Sequence, residues 1–255
     1  MNKVDIRPDS LRPLFIEMFF NDQKLAIGTC FPVFSGKGKV YLVTARHNLT
    51  GRHAHTDEVL HLKKAIPNRI KVHLHTKRNS HEPVRYKTAA FNLQTNSGAN
   101  IWVEHPIFNT EADIAAIPLD VDDEVFLHPF NLAHEPTRVT GPADPVSVIG
   151  FPFGKSSGDG LPIWATGYMA SEPNLDYEGK PVVLIDCRTR PGQSGSPVVS
   201  FRSDGVIGHN QFQGTWTAPS SDFLGLYCSR INAESDLGVV WKCSAIKELV
   251  EAHDG

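Results

Sequence analysis

The sequence has no long apolar segment and little net charge, and each of these absences excludes a class of protein. Its apolar runs are only a few residues long, whereas a membrane-spanning helix needs about 20 residues. The formal net charge is −3 at pH 7, which gives no electrostatic reason to expect nucleic acid or an anionic membrane as a partner. The sequence therefore predicts a protein that binds neither nucleic acid nor membrane.

Cysteine is also scarce. Cys30, Cys187, Cys228 and Cys243 form neither a Cys-x-x-Cys pair nor the spacing of a zinc site. We expect these thiols to be reduced and to pack as small apolar side chains. Residues 1–8 mix charges with a proline, unlike the unbroken apolar stretch of a secretory signal. Together these features predict a cytoplasmic protein.

Short strand-like segments recur along almost the whole chain. The 20 glycines and 18 prolines are scattered, and β-branched or aromatic runs lie between them. This pattern predicts an all-β fold of two antiparallel six-stranded-type β-barrels, over residues 14–125 and 140–255. The charged segment 121–145 would connect them. A C-terminal helix is expected over 245–251, with Ser244 as its N-cap.

Three segments carry the residue types of nucleophilic catalysis. The strand-like segment 42–47 (LVTARH) ends at His47, Asp113 precedes the apolar run IAAI, and Ser194 lies in the glycine-rich turn GQSGS. A serine hydroxyl needs an adjacent base, normally imidazole, to attack at neutral pH. The imidazole needs a buried carboxylate that fixes its tautomer and stabilises its positive charge. Tight turning beside Ser194 would aim the N–H groups of Gly192 and Ser194 at one oxyanion.

Taken together, these segments resemble the trypsin-like peptidase superfamily, closest to its bacterial Deg/HtrA and glutamyl-endopeptidase branches. In that family a Thr-Ala-x-His segment, an aspartate before Ile/Leu-Ala and a Gly-x-Ser-Gly-Gly/Ser-Pro segment follow one another in this order. The resemblance implies a chymotrypsin-like fold and a serine endopeptidase acting on a protein or peptide substrate without a cofactor. Residues 52–93 have no assigned counterpart, and Arg46 stands where the family usually has a small residue.

The resemblance also predicts the pocket for the substrate side chain before the scissile bond. The family lines it with the residues five and six before the nucleophile, here Thr189 and Arg188. The facing strand would be 208–213, with His209 or Asn210 in the pocket. No acid stands where trypsin-like enzymes carry an aspartate, so preference for Arg or Lys is not expected. Hydroxyl, amide and guanidinium donors favour an acidic or small polar side chain. If Arg188 points away, small aliphatic side chains are favoured instead.

Other interpretations fit parts of the sequence. A catalytically silent, protease-like peptide-binding module would carry the same segments. A Gly-x-Ser-x-Gly hydrolase fits less well, because the last glycine is missing and the acid and histidine precede the serine. The alternating histidines of 53–55 and 73–75 would share a face on a strand. Neither pair is interpreted as part of a larger ligand constellation with Asp, Glu or Cys, so no metal site is predicted.

Overall fold

The computed structural model describes residues 6–54, 56–77, 85–120, 122–134, 136, 139–203, 205–209, 212–216, 219–232 and 234–254, with the backbone alone for 205–209 and 212–216. Strands dominate these residues, as the sequence predicts. The strands are β1 (Leu14–Phe20), β2 (Gln23–Phe34), β3 (Val40–Thr44), β4 (Arg69–His75), β5 (Tyr86–Asn92), β6 (Val103–Glu104), β7 (Ala115–Pro118), β8 (Phe130–Asn131), β9 (Pro145–Gly150), β10 (Ile163–Met169), β11 (Val182–Asp186), β12 (Ser196–Arg202), β13 (Gly205–His209), β14 (Phe212–Trp216), β15 (Ser220–Arg230) and β16 (Leu237–Lys242). The α-helices are α1 (Arg46–Thr50) and α2 (Cys243–Glu251), and 3-10 turns cover Pro8–Leu11, Pro152–Gly154 and Tyr177–Gly179.

The second half of the chain forms the closed six-stranded barrel that the sequence predicts. The strand order is β10-β11-β16-β15-β12-β9, and the pairs are antiparallel. The interior is filled by β-branched side chains such as Val148, Ile185 and Val198, all fully buried. Such residues favour strands because their branched side chains pack well on a pleated surface.

The first half differs in strand number from the six-stranded barrel that was predicted. It is an eight-stranded sheet of order β5-β4-β1-β2-β3-β7-β6, with β8 pairing with β2. Strands β4 and β5 come from the unassigned segment 52–93 and extend one edge. Strand β2 has 12 residues and extends beyond the end of its partner β1, which has 7 residues. Its free end therefore accepts β8, in parallel, at Val33 and Phe34.

Both helices differ in detail from the sequence prediction. The strand-like segment 42–47 is a strand only as far as Thr44, and His47 lies on α1, whose C-cap Gly51 has a left-handed backbone (φ 64°) that closes the turn. The predicted Ser244 cap is wrong, because α2 starts two residues earlier than predicted, at Cys243, and its N-cap is Lys242. The helix still has a buried apolar face. It is formed by Ala245, Ile246, Leu249 and Val250, at the spacing of a helix packed on a core.

One apolar core joins the two halves and the C-terminal helix. It contains Phe31 and Val43 from the first sheet, Val199 and Trp241 from the barrel, and Leu249 from α2. Apolar side chains shared in this way hold the halves together by burying one common surface. Cys30, Cys187 and Cys228 are buried, as predicted, and Cys243 is half-buried. Within the described residues, helices long and apolar enough to cross a membrane are absent.

Candidate active site

Strand pairing brings His47 and Asp113 together. Strand β3 lies beside β7, with Thr44 opposite Ala115, so the residues just beyond these strand ends become neighbours. The Nδ1 atom of His47 lies 2.7 Å from Oδ2 of Asp113. The backbone N–H of His47 donates to the other carboxylate oxygen, Oδ1, at 2.9 Å. Both oxygens of the buried carboxylate are thus engaged by one residue, which fixes the orientation of the imidazole ring.

The environment of His47 acts on its pKa in two opposite directions. Burial of the ring lowers the pKa, because a low-dielectric surrounding disfavours the charged form. The charge of Asp113 and its hydrogen bond raise the pKa, and together they outweigh burial. The pKa of His47 therefore lies above its ordinary value of 6.5. The Asp113 carboxylate thus stabilises the imidazolium form of His47. A histidine that accepts a proton during a reaction needs this stabilisation.

Hydrogen bonds from two other segments hold the turn that carries Ser194. Its carbonyl oxygen accepts hydrogen bonds from the backbone N–H of Thr29 at 2.9 Å and from Nδ2 of Asn48 at 3.0 Å. The next residue, Gly195, has φ +86°, and a Cβ atom there would overlap the carbonyl oxygen of Thr29. Only glycine fits this position without strain. His47, Asp113 and Ser194 all line one recess of about 440 Å³.

The turn before Ser194 leaves two N–H groups available. The carbonyl of Gly192 accepts from the Thr29 hydroxyl at 2.8 Å. The N–H of Gln193 donates to the carbonyl of Arg190 at 3.1 Å, and Oε1 of Gln193 accepts from the N–H of Arg190 at 2.7 Å. Within the part of the chain that is described, the N–H groups of Gly192 and Ser194 donate to no acceptor. This arrangement suits the binding of an oxyanion.

The sequence matches the family model of the trypsin-like peptidase domain over residues 28–208. The chain belongs to the trypsin-like peptidase family. As a member it is a serine endopeptidase, whose substrates are proteins or peptides.

Two solved structures share the fold of this trypsin-like peptidase. The thermostable serine protease AL20 from an extremophilic microorganism has a TM-score of 0.53 at 13% identity, over 97% of this chain and 98% of that one. The serine endoprotease from Yersinia pestis has a TM-score of 0.51 at 14% identity, over 98% of this chain and 67% of that one. The predicted chymotrypsin-like fold is thus confirmed. The search of curated proteins gave no match.

Asn48 is a positioning residue of this peptidase that sequence reasoning missed. Its Nδ2 donates to the carbonyl of Ser194 and to Oγ1 of Thr44, both at 3.0 Å. The residue follows His47 on α1, so its amide connects the helix that carries His47 to the turn that carries Ser194. The signal in the sequence is only an asparagine after a histidine, which is too common to interpret.

We expect Asn48→Ala to lower kcat by about three- to tenfold and to leave KM nearly unchanged. The lost hydrogen bond corresponds to about 1 kcal/mol, and the Ser194 carbonyl keeps its bond to the N–H of Thr29. Steady-state kinetics on one peptide measure the split between kcat and KM. Asn48→Asp is the matched variant: it has similar size but no N–H donor, so it should lose at least as much. A loss confined to KM would contradict a positioning role.

Arg46, which stands where the family usually has a small residue, forms an ion pair. Its Nε lies 2.8 Å from Oε1 of Glu104. Glu104 is on β6, opposite Ala115 of β7, and also accepts from the Trp102 indole at 3.3 Å. The pair therefore connects the helix that carries His47 to the strand beside Asp113.

The predicted pocket residues Arg188 and Thr189 line a second recess, of about 480 Å³, which also adjoins Ser194. The Thr189 hydroxyl lies 2.6 Å from that of Tyr227, and both side chains are buried. Arg188 is 77% exposed, with Nε 3.7 Å from the carboxylate of Asp236. Arg188 therefore faces solvent and an acid, rather than being enclosed by the recess.

The side chains of the strand predicted to face this second recess, 208–213, lie outside the described residues. Strand β13, which contains His209, pairs with β14 in a separate hairpin, and the side chain of His209 and all of Asn210 lie outside the described residues. Among the described residues, strand β15 supplies Tyr227, Ser229 and Arg230 to the lining of this recess.

The unassigned segment 52–93 contributes to the first recess. His53, Ala54 and Leu60 line it on the side of His47. His73 belongs to the second pair of alternating histidines. Its Nε2 atom lies 3.4 Å from Oε2 of Glu17, and its ring packs against that of Phe15. Among the described residues, groups of three or more His, Cys, Asp or Glu side chains that could hold a metal ion are absent.

Proposed function

We propose that this peptidase cleaves peptide bonds with Ser194 as nucleophile, His47 as general base and acid, and Asp113 as the orienting carboxylate. The observation that carries the proposal is the double hydrogen bond between His47 and Asp113, facing a recess that Ser194 also lines. The N–H groups of Gly192 and Ser194 would form the oxyanion hole.

The reaction follows from these positions. Oγ of Ser194 attacks the substrate carbonyl carbon while Nε2 of His47 takes the hydroxyl proton. The oxyanion of the tetrahedral intermediate accepts hydrogen bonds from the two N–H groups. The C–N bond then breaks, and His47 returns the proton to the leaving amine. A water molecule, deprotonated by His47, attacks the acyl-enzyme, which releases the carboxylate product and restores Ser194. Throughout, Asp113 accepts from Nδ1–H and thereby keeps Nε2 free to act.

A fluorophosphonate probe tests this proposal, because it labels only an activated serine. We expect the wild-type protein and the control variant Ser97→Ala, at an exposed serine, to be labelled. Ser194→Ala should not be labelled. This outcome would exclude the catalytically silent binding module, which would bind peptides without reacting. Equal labelling of Ser194→Ala and wild type would overturn the assignment of the nucleophile.

The pH dependence of kcat/KM should report the raised pKa of His47. The reaction needs the neutral imidazole, so activity is lost as the pH falls through this pKa. Because the charge of Asp113 raises the pKa above 6.5, we expect the midpoint of the acidic limb above 6.5. Initial rates between pH 5 and 9, in buffers of constant ionic strength, measure it. A midpoint at or below about 6 would contradict the dominance of Asp113 over burial.

A further inference from the structure

Thr29, on β2 of the first sheet, is fully buried, and each of its polar groups takes part in a hydrogen bond. Its backbone N–H donates to the carbonyl of Ser194 at 2.9 Å, and its own carbonyl accepts from the hydroxyl of Thr44 at 2.7 Å. Its hydroxyl donates to the carbonyl of Gly192 at 2.8 Å. One residue of the first sheet thus holds the two carbonyl groups on either side of Gln193.

The hydroxyl of Thr29 also accepts a hydrogen bond, from the backbone N–H of Phe151 at 3.3 Å. An N–H group can only donate, so this contact uses a lone pair of the hydroxyl and leaves its single proton for the carbonyl of Gly192. The direction of the bond between Thr29 and Gly192 is therefore fixed. A valine in place of Thr29 would take away the partner of two polar groups at once, the N–H of Phe151 and the carbonyl of Gly192.

The segment that follows β9 orients the peptide group between Pro191 and Gly192. The N–H of Phe153 donates to the carbonyl of Pro191 at 2.6 Å. The N–H of Gly192 belongs to the same peptide group, and in a trans peptide the N–H and the carbonyl point in opposite directions. Since the carbonyl faces Phe153, the N–H of Gly192 is directed away from this segment.

Phe153 adopts an unfavourable backbone conformation at this contact. Its φ is 54° and its ψ is 22°, in the left-handed region that bulky residues seldom occupy. Its side chain is 59% exposed, so burial of the ring does not offset the strain. Strained backbone persists where the surrounding contacts hold it. Here the N–H of Phe153 is bound to Pro191, and the N–H of Gly154 is bound to the carbonyl of Phe151 at 2.9 Å.

We propose that Thr29 is a positioning residue of the oxyanion hole, and that its hydroxyl, bonded to Phe151 and Gly192, holds the turn 191–194 in its active form. The inference rests on the proposed function, because it takes the N–H groups of Gly192 and Ser194 as the donors to the oxyanion. The carbonyls of three residues of this turn are bound by groups outside it, so the donors keep their orientation before substrate binds. Donors that are oriented in advance stabilise the transition state without a cost of reorganisation.

Thr29→Val removes the hydroxyl and keeps the branched shape of the side chain. Loss of a whole oxyanion donor lowers kcat by 10²- to 10³-fold, and a donor that is only loosened should lower it by about ten- to a hundredfold. We expect KM to stay nearly unchanged, because the oxyanion exists only after attack on the substrate. Thr29→Ser keeps the hydroxyl and should retain a kcat close to that of wild type. Thr166→Val removes a hydroxyl that bonds Ser147 on the barrel, outside both recesses, and should leave kcat within about twofold of wild type.

A peptide boronic acid distinguishes positioning from a general loss of structure. Oγ of Ser194 adds to the trigonal boron and passes its proton to His47, and one boron hydroxyl of the tetrahedral adduct takes the place of the oxyanion. In Thr29→Val protein the Ki of the boronic acid should rise by about the same factor as kcat falls. The Kd of the corresponding peptide alcohol, which has no carbonyl to attack, should not change. Equal weakening of both ligands would show a structural role only and would overturn the proposal.

A second pair of variants decides the question if Thr29→Val does not fold. Thr29→Ser and Thr29→Ala differ from each other by the hydroxyl alone, so kcat of the alanine variant should be at least about tenfold lower. Equal kcat in these two variants would overturn the proposal. Wild-type protein that is labelled by the fluorophosphonate, together with Thr29→Val of unchanged kcat, would contradict the role of Thr29 alone. Wild-type protein that is not labelled would contradict the catalytic residues, and the role of Thr29 would be lost with them.

Discussion

Replacement of Ser194 or His47 with alanine is expected to lower kcat by about six orders of magnitude, and the double variant should lose little more. The serine hydroxyl is a weak nucleophile without a base, and the base has nothing to activate without the serine. The two residues therefore act as one unit, and their effects do not add. The measurement is kcat for the single variants and the double variant on one fluorogenic peptide.

Exposed residues of the same types provide the controls for this experiment. Ser97→Ala and His134→Ala remove a serine and a histidine that lie outside both recesses, so their kcat should stay within about twofold of wild type. Circular dichroism should show that every variant is folded. If the losses in the single variants multiplied in the double variant, Ser194 and His47 would act in separate steps, and the proposed pairing would be wrong.

Asp113→Asn is expected to lower kcat by about four orders of magnitude. The amide has the shape of the carboxylate, but its NH₂ group can donate to Nδ1 of His47 and thus favour the tautomer that carries its proton on Nε2. That tautomer cannot take the proton of Ser194. The negative charge that raises the pKa of His47 is also removed, while burial, which lowers the pKa, remains.

The residual activity of Asp113→Asn should therefore have its acidic limb at lower pH than that of wild type. This shift distinguishes the loss of an orienting charge from simple misfolding, which would lower activity at every pH alike. Asp120→Asn, at the exposed end of the strand that follows Asp113, is the control and should leave the pH profile unchanged. Unimpaired hydrolysis by Asp113→Asn would mean that another carboxylate orients the histidine.

The pairing of His47 with Asp113 was predicted from the residue types and order of three segments and from their resemblance to the trypsin-like peptidase superfamily. Each residue lies at the end of an apolar strand, and strands that leave a core at the same edge bring such ends together. The all-β class was predicted from the short β-branched and aromatic runs that lie between turn residues. The glycine requirement at Gly195 was also visible, because tight turns need that residue.

The residues that connect distant segments could not be predicted in this way. The pairing of Arg46 with Glu104 depends on the position of β6 beside β7, which no local pattern records. The contribution of Arg230, on β15, to the lining of the second recess was missed for the same reason. In both cases the outcome depends on which strands become neighbours, a choice that tertiary packing makes rather than intrinsic propensity.

The C-terminal helix α2 restricts how far His47 and Ser194 can move apart. It leaves the barrel at Lys242, and its far end is bound to the first sheet, where the Tyr41 hydroxyl donates to the carbonyl of His253 at 3.0 Å and the N–H of Lys37 donates to Asp254 at 3.1 Å. The halves are thus connected at two places, through the chain before β9 and through this helix. A doubly tethered pair samples far fewer relative orientations than a singly tethered one, so the imidazole is held at a high effective concentration around the serine. In entropic terms, α2 reduces the volume that His47 and Ser194 would otherwise explore relative to each other.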